Sequence, residues 1–453
     1  MNDSQIFEGA PSRRGQTLAL VGIAILSLVY RFVLIDHYPT VFSWDAFTRL
    51  WDPSRLIVRH WLPIPQLPIF VGDRAGADLE SVRQVYAVVG ALGGALLGAT
   101  AVSLLGFWRG IVSTVLCAVL PFYIVYTTVP YQEGFLALGL FGFLLAVARG
   151  ASASDTGLSV PWELFASASL AMACASRYEA WVFAGIFALR PLAQREYRSL
   201  LKFVPSGFVV MAWLLFLLTS DSSGSPPPVP RDDPSTPVDL VFDSFGNWVA
   251  GLHFIGFGLA LLGGGLALRR RDFLGRELIA FTTFLFALGI YRAVNVGLAT
   301  DRMMLVVMIM SVLYMPIGLF FLASRLPKGA QKGAVAALVA VSVVWSVKTA
   351  VDQFEERTYR FRKERAVAYL VSEIIAKSET ESAFGVVPRP IKNVLGESGV
   401  RAIFAQSMDL HPTEERWILG KEQMERRGGE VQHVVYYDKE ARKYQLLVAQ
   451  APK

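Results

Sequence analysis

The sequence predicts a polytopic α-helical membrane protein with about eleven transmembrane helices and a small extracytoplasmic α/β domain at the C-terminus. Of its 453 residues, 53% are hydrophobic, and the mean hydropathy is +0.44. Only 18% of the residues are charged, whereas soluble proteins carry about a quarter. Apolar windows of about 20 residues, enough to cross about 30 Å of hydrocarbon, recur along the chain. Lipid must therefore solvate much of this protein.

Each apolar window predicts one membrane-spanning helix. The windows lie near residues 17–35, 84–106, 110–128, 134–148, 162–177, 178–193, 203–219, 248–268, 278–298, 303–323 and 333–350.

Basic residues between the windows predict how the helices are oriented. Arg13 and Arg14 precede the first window, and clusters at 190–202, 269–276 and 325–332 fall on the same side of the membrane if the spans alternate. Cytoplasmic connections carry this excess of Lys and Arg. We therefore read the net charge of +6 as orientation and expect no nucleic-acid partner. The prediction is a multi-pass plasma-membrane protein with a cytoplasmic N-terminus.

Two further regions are then extracytoplasmic. One is the first loop, 36–82, within a membrane domain that comprises residues 1–351. The other is the segment 352–453, which is charged and has a helical pattern at 359–377. It also contains four strand-like runs, "FGVV", "RAIFA", "HVVYYD" and "YQLLVA". About 100 residues suffice for a small α/β domain.

Charged residues at the edges of the windows are the candidate functional groups, because charge near hydrocarbon is costly unless it is paired, hydrated or functional. Asp45, Glu133, Arg177, Glu179 and Arg302 all map to the extracytoplasmic side in this orientation. Their convergence on one face predicts a site there.

Each of these residues also has a purely structural explanation. Glu133 opens a helix and would favour its positive end, and Arg177 and Glu179 would neutralise one another. Asp45 would be a solvated loop carboxylate, and Arg302 would mark the end of a span. The segment 47–59, taken alone, is typical of an amphipathic helix that lies at the membrane surface.

The motifs around these residues resemble the C-type glycosyltransferase superfamily, which includes protein O-mannosyltransferases and aminoarabinose transferases of lipid A. The first loop carries "SWDAF" and then "HWLPIPQLP", an acidic residue followed by an aromatic and proline-rich stretch. "VPYQEGF", "ASRYEAWVF" and "DRMMLVVMIM" match, in order, an acidic residue that opens a span, an arginine-containing turn and a late arginine. The resemblance covers about residues 10–350.

The resemblance implies that a sugar is transferred from a polyprenyl-phosphate carrier to a glycan, lipid or protein acceptor on the extracytoplasmic side. Asp45 matches the catalytic carboxylate, with Asp52 as its rival because no second acid follows Asp45. Arg302 and Arg177 would bind the donor phosphate, although methionine follows Arg302 where an aromatic residue is usual. Glu133 and Glu179 complete the substrate-binding set together with two tryptophans that could stack on sugar faces, Trp44 and Trp61.

No cofactor is expected, although superfamily members differ in their use of a divalent metal. The first loop lacks the two closely spaced acids typical of a Mg²⁺ site, and Cys117 and Cys174 lie inside apolar windows, which supports neither a disulfide nor a cysteine metal site. The competing function is a polytopic transporter or lipid flippase, but we find no internal repeat and no matching broken helices. A membrane scaffold would leave the one-sided charges unexplained.

Overall fold

The computed structural model describes residues 6–7, 9–38, 49, 56–57, 62–153, 159–219, 237–270, 273–296, 301–377, 433–438 and 443–448. The chain divides into two compact units. The first contains Met1–Pro39, Pro53–Ser222 and Thr236–Phe354, and the second contains Thr40–Asp52, Ser223–Ser235 and Glu355–Lys453.

In the part that the structure describes, the first half of the chain contributes ten α-helices and two short 3-10 turns, Ile64–Gln66 and Leu201–Phe203. The α-helices are α1 (Arg13–His37), α2 (Leu67–Ala75), α3 (Leu79–Leu105), α4 (Phe107–Ala118), α5 (Pro121–Thr127), α6 (Glu133–Ala153), α7 (Ser159–Cys174), α8 (Glu179–Ala193), α9 (Tyr197–Leu200) and α10 (Val204–Thr219).

The second half contributes four longer helices and a hairpin. They are α11 (Pro237–Ala267), α12 (Glu277–Val296), α13 (Asp301–Ala323), α14 (Lys328–Lys377), β1 (His433–Asp438) and β2 (Lys443–Val448).

The predicted helical membrane protein is confirmed, and each of the eleven predicted windows overlaps a helix. Seven of the described helices are long and apolar enough to cross a membrane, or eight if a bent pair counts as one span. Two shorter apolar helices, Val160–Cys174 and Glu277–Tyr291, fall below that length. The count of eleven spans therefore stays a prediction.

Hydropathy predicts one continuous helix for the window at 110–128, but the structure has two helices there. They are α4 and α5, whose axes are bent by 57°. Pro121 is the first residue of α5, and Leu120 before it has φ −58° and ψ 116°. Proline lacks an N–H and disfavours a helical residue before it, so the helix must end and restart there.

A second break lies inside α11. His253 has φ 62° and ψ 151°, which no helix accommodates, and it separates two helical stretches of α11. The imidazole Nδ1 accepts a hydrogen bond from the N–H of Ile255 at 3.3 Å. The ring also packs against Trp345 of α14, with centroids 4.6 Å apart.

Glycines allow pairs of helices in the bundle to pack closely. Around α3 lie α1, α4 and α6, and α11 packs along α13. At Gly90 of α3 a Cβ would lie 2.4 Å from the Cβ of Thr127, and at Gly263 of α11 it would lie 1.9 Å from the carbonyl oxygen of Tyr314. Only glycine permits these approaches, and the first of them brings the end of α5 against α3.

Helix α3 starts at a well-defined cap. The side chain of Asp78 accepts a hydrogen bond from the N–H of Ser81 at 2.8 Å, as N-cap residues do. Hydrogen bonds from Ser81 lower the pKa of the Asp78 carboxyl below its usual value. The helix therefore begins at Leu79, before its predicted window at 84–106.

At the C-terminus, the predicted runs "HVVYYD" and "YQLLVA" coincide with β1 and β2, which pair antiparallel with His433 opposite Val448. The runs "FGVV" and "RAIFA" lie outside the described residues. Helix α14 continues without a break from Lys328 to Lys377, so the predicted helix at 359–377 and the window at 333–350 are one element. The C-terminal α/β domain from 352 onward stays a prediction.

Candidate functional site

Several helix ends meet at one end of the bundle. Hydrogen bonds from the side chains of Arg31 and Arg83 connect the end of α1, the start of α3 and the end of α5. The turn between α7 and α8 joins the start of α6 through an ion pair. The groups connected in this way are Arg31, Arg83, Glu133, Arg177 and Glu179.

An ion cluster lies at the centre of the turn between α7 and α8. The Arg177 guanidinium pairs with Glu133, the first residue of α6, through Nη1. It also pairs with Glu179, the first residue of α8, through Nη2 and through Nε at 2.9 Å. The side chains of Arg177, Glu133 and Glu179 are only 7%, 1% and 14% exposed. One arginine thus holds the buried carboxylate of Glu133 and the partly buried carboxylate of Glu179, from two helices.

A proline-rich segment of the first loop is attached to the same turn. The N–H of Ile64 donates to the carbonyl oxygen of Ala175 at 3.2 Å. The hydroxyl of Tyr86 in α3 donates to the carbonyl oxygen of Pro65, and its ring meets that of Phe135 in α6 edge to face at 5.7 Å. This segment of the first loop is therefore fixed beside the ion cluster.

Arg83 in α3 is a fully buried guanidinium. Its Nε donates to the carbonyl oxygen of Thr128 at 2.8 Å, and its Nη1 donates to that of Tyr38 at 2.7 Å. Its Nη2 is buried with no hydrogen-bond partner, and Arg83 forms no ion pair within the described part of the chain. A buried charge of this kind is costly without an anion.

Arg31 in α1 is a second fully buried arginine. Its Nε donates to the hydroxyl of Thr127 at 3.0 Å, and its Nη1 donates to the carbonyl oxygen of Ser27 at 3.1 Å and to the Ser27 hydroxyl. The guanidinium carbon lies 5.4 Å from the ring centroid of Tyr123. Among the described residues Arg31 also has no carboxylate partner. The two arginines thus hold successive residues of the same chain segment.

The structure brings together three of the predicted site residues, Glu133, Arg177 and Glu179. Their pairing agrees with the structural alternative that Arg177 and Glu179 neutralise one another. Phosphate binding by Arg177 stays a prediction. Arg302 lies in the first turn of α13, and the structure describes its backbone alone. Four predicted residues fall outside the described residues: Asp45, Asp52, Trp44 and Trp61.

Sequence reasoning missed Arg31 and Arg83. Arg31 stands inside the apolar window 17–35, and an ionisable residue within a span is by default a functional candidate, so that signal was available. Arg83 immediately precedes the window 84–106, where an arginine usually reaches the interface. Nothing local reveals that it is buried.

The structure offers no candidate metal centre in the part that it describes, since those residues contain no group of three or more His, Cys, Asp or Glu side chains that could hold an ion. The expectation of a metal-free site stays a prediction, because part of the first loop, including Asp45 and Asp52, lies outside the described residues.

Solved structures of membrane transferases have the same fold. ArnT from Cupriavidus metallidurans in the apo state is similar over 85% of each chain, with a TM-score of 0.60 and 13% identity. The same protein bound to undecaprenyl phosphate aligns over 84% of this chain and 85% of that chain, with a TM-score of 0.56 and 13% identity.

A second similar structure is the archaeal oligosaccharyltransferase AglB from Archaeoglobus fulgidus, in complex with an inhibitory peptide and a dolichol-phosphate. It aligns with a TM-score of 0.52 and 12% identity over 87% of this chain. The chain spans 61% of the length of AglB. No protein-family model and no curated protein sequence matches the chain. The resemblance to the C-type glycosyltransferase superfamily is confirmed at the level of the fold.

Proposed function

Because the chain has the fold of the C-type membrane glycosyltransferases, we propose that it transfers a sugar from a polyprenyl-phosphate carrier to an acceptor. The similar structures support the carrier, since ArnT was solved bound to undecaprenyl phosphate and AglB in complex with a dolichol-phosphate. The acceptor is a glycan, a lipid or a protein. Membrane lipids surround the enzyme, and the donor enters from the bilayer.

The observation that carries this proposal is that the buried Arg83 side chain retains one hydrogen-bond donor that no described residue satisfies. It is buried, two main-chain carbonyls fix it, and its Nη2 has no partner in the described part of the chain. Arginine presents a planar set of donors that matches phosphate oxygens. A lipid phosphate would satisfy both the charge and the remaining donor, so we assign the carrier phosphate to Arg83, with Arg302 as a second donor.

The proposed reaction needs a general base for the acceptor and hydrogen-bond donors for the leaving phosphate. Asp45 is the general base: it accepts the proton of the acceptor hydroxyl while the hydroxyl oxygen attacks the anomeric carbon of the sugar. The bond from that carbon to the phosphate oxygen breaks, and the leaving phosphate gains negative charge. Donors aimed at this developing charge lower the barrier. Trp44 and Trp61 stack on the sugar, and no metal takes part.

Arg177 has a different role in this proposal. Its ion pairs with Glu133 and Glu179 would fix the turn before α8 relative to the start of α6. The two carboxylates would then bind sugar hydroxyls from fixed positions. Fixed positions matter because misplacement by about 1 Å can cost on the order of a hundredfold in rate.

We further propose eleven spans with the N-terminus in the cytoplasm and the region from 352 outside it, on the side of Asp45. In intact cells, a cysteine introduced at Ser407 is expected to react with a membrane-impermeant maleimide. A cysteine introduced at Ser199, within the basic cluster 190–202, is the control and should react only after lysis. The opposite pattern would reverse the orientation and move the site to the cytoplasmic face.

The proposed function is tested by transfer of a labelled sugar from a polyprenyl-phosphate donor in membranes that contain the protein. Arg83→Gln removes the charge and is expected to raise the donor KM by about tenfold or more, because charge-assisted hydrogen bonds contribute about 1.5 to 3 kcal/mol. Arg83→Lys should recover part of the loss.

Arg190→Gln is the matched control. Arg190 is 46% exposed, and its Nη1 lies 3.7 Å from Oε1 of Glu277, so its loss should leave the donor KM unchanged. If the wild-type protein transfers no sugar but moves the lipid between the leaflets of a vesicle, the enzyme proposal is wrong and the protein is a flippase.

A further inference from the structure

Arg83 depends on the end of α1 for its orientation. The carbonyl oxygen that accepts its Nη1 belongs to Tyr38, the residue that follows α1. The N–H of Tyr38 in turn donates to the carbonyl oxygen of Leu34 at 2.9 Å. This oxygen therefore sits at the negative end of the helix dipole, where a cation is stabilised.

The position of Tyr38 is fixed by an aromatic stack. Its ring lies parallel to that of Phe354 in α14, with centroids 5.2 Å apart and an interplanar angle of 18°. His37 meets the same Tyr38 ring edge to face at 4.8 Å. Phe354 is fully buried and Tyr38 is 7% exposed. An aromatic pair of this kind contributes beyond the area that it buries.

We infer that Tyr38 and Phe354 are positioning residues that hold Arg83 in the orientation that binds the carrier phosphate. Phe354 fixes the Tyr38 ring, the Tyr38 carbonyl fixes Nη1, and the Thr128 carbonyl fixes Nε, so that Nη2 faces its ligand. The inference rests on the proposed function, and it assigns to Phe354 of α14 a role in donor binding through an aromatic contact.

Removal of the stack should act on the donor KM rather than on kcat. In full-length protein, Phe354→Ala is expected to raise the KM for the polyprenyl-phosphate sugar by about tenfold, since a displaced carbonyl no longer orients the guanidinium. The kcat at saturating donor should change by about twofold or less. Phe354→Leu, which retains most of the volume but not the ring, gives a second variant if the alanine variant does not fold.

Phe320→Ala is the matched control. Phe320 is also buried, at 1% exposure, and its ring lies 5.9 Å from that of Phe7. Its loss should lower the thermal stability to a similar degree and leave the donor KM unchanged. An equal rise in KM in the Phe320→Ala and Phe354→Ala variants would reduce the effect to general destabilisation and overturn the inference.

A double-mutant cycle separates positioning from a direct structural effect. If Phe354 acts through Arg83, Phe354→Ala should raise the donor KM in wild-type protein but not in the Arg83→Gln protein, because the group that it positions is gone. Independent rises in KM that multiply in the double variant would overturn the inference while leaving the proposed function intact.

The same double-mutant cycle can be measured without an activity assay. The readout is then the rise in the melting temperature of each purified variant when undecaprenyl phosphate binds. If the wild-type protein transfers no sugar, the proposed function fails, and the inference is then judged on this binding signal alone. Loss of stabilisation in Phe354→Ala, with no further loss in the double variant, would support it. Undiminished stabilisation in Phe354→Ala would overturn it.

Discussion

Asp45→Asn is expected to lower sugar transfer by about a hundredfold or more, which is the range that general-base catalysis supplies. Asparagine has nearly the same size and retains most hydrogen bonds, but it removes the negative charge and the capacity to accept the proton. Expression and detergent stability should stay near those of the wild-type protein. The measurement is transfer of labelled sugar from a polyprenyl-phosphate donor in membranes.

Asp52→Asn is the matched control, seven residues further along the same loop. A solvated loop carboxylate would change stability by only about half a kcal/mol and leave activity unchanged. Full activity in Asp45→Asn together with loss in Asp52→Asn would move the catalytic role to Asp52. Full activity in both variants would favour the transporter or scaffold interpretation.

Hydropathy predicted where the helices lie, because the requirement for about 20 apolar residues acts on each segment separately. It did not predict the breaks. Pro121 was a local signal for the bend between α4 and α5, but the window average concealed it. His253 carries no such signal, since a positive φ in a non-glycine residue arises from the packing around it.

The ion cluster was predictable in part, because Arg177 and Glu179 are two residues apart and Glu133 opens a helix on the same side. The ion pair between Arg177 and Glu133 was not predictable, since the two residues are 44 positions apart in sequence. Arg83 was beyond the reach of sequence reasoning for a similar reason. Its partners are the main-chain carbonyls of Tyr38 and Thr128, and a carbonyl acceptor leaves no trace in residue identity.

Arg31 and Arg83 together explain why the segment from Thr127 to Glu133 has a defined geometry without regular structure. Arg31 holds the side chain of Thr127, and Arg83 holds the carbonyl of Thr128. Gly90 lets Thr127 approach α3. The segment that carries Glu133 is thus fixed from two helices, and the carboxylate site depends on the same arginine that we assign to the phosphate.

The buried ion cluster leads to the second large expected effect. Arg177→Met removes the cation that holds Glu133 and Glu179, and breaking a buried ion pair from one side costs about 3 to 5 kcal/mol, because the remaining charge stays buried. We therefore expect a large loss of folding stability, measured as the midpoint of a denaturing-detergent titration of the purified protein. Arg177→Lys should lose less, since it retains the charge but not the planar fork that binds Glu179.

A compensated variant distinguishes this role from phosphate binding. Glu133→Gln and Glu179→Gln, added to Arg177→Met, remove both carboxylate charges. Replacement of a whole buried ion cluster by neutral groups is often close to neutral in stability. Recovery of the unfolding midpoint in the triple variant, without recovery of transfer, is the result expected if Arg177 positions two substrate-binding carboxylates. If Arg177 instead binds the donor phosphate, the single variant should keep its stability and lose donor affinity, and the two glutamine substitutions should restore nothing.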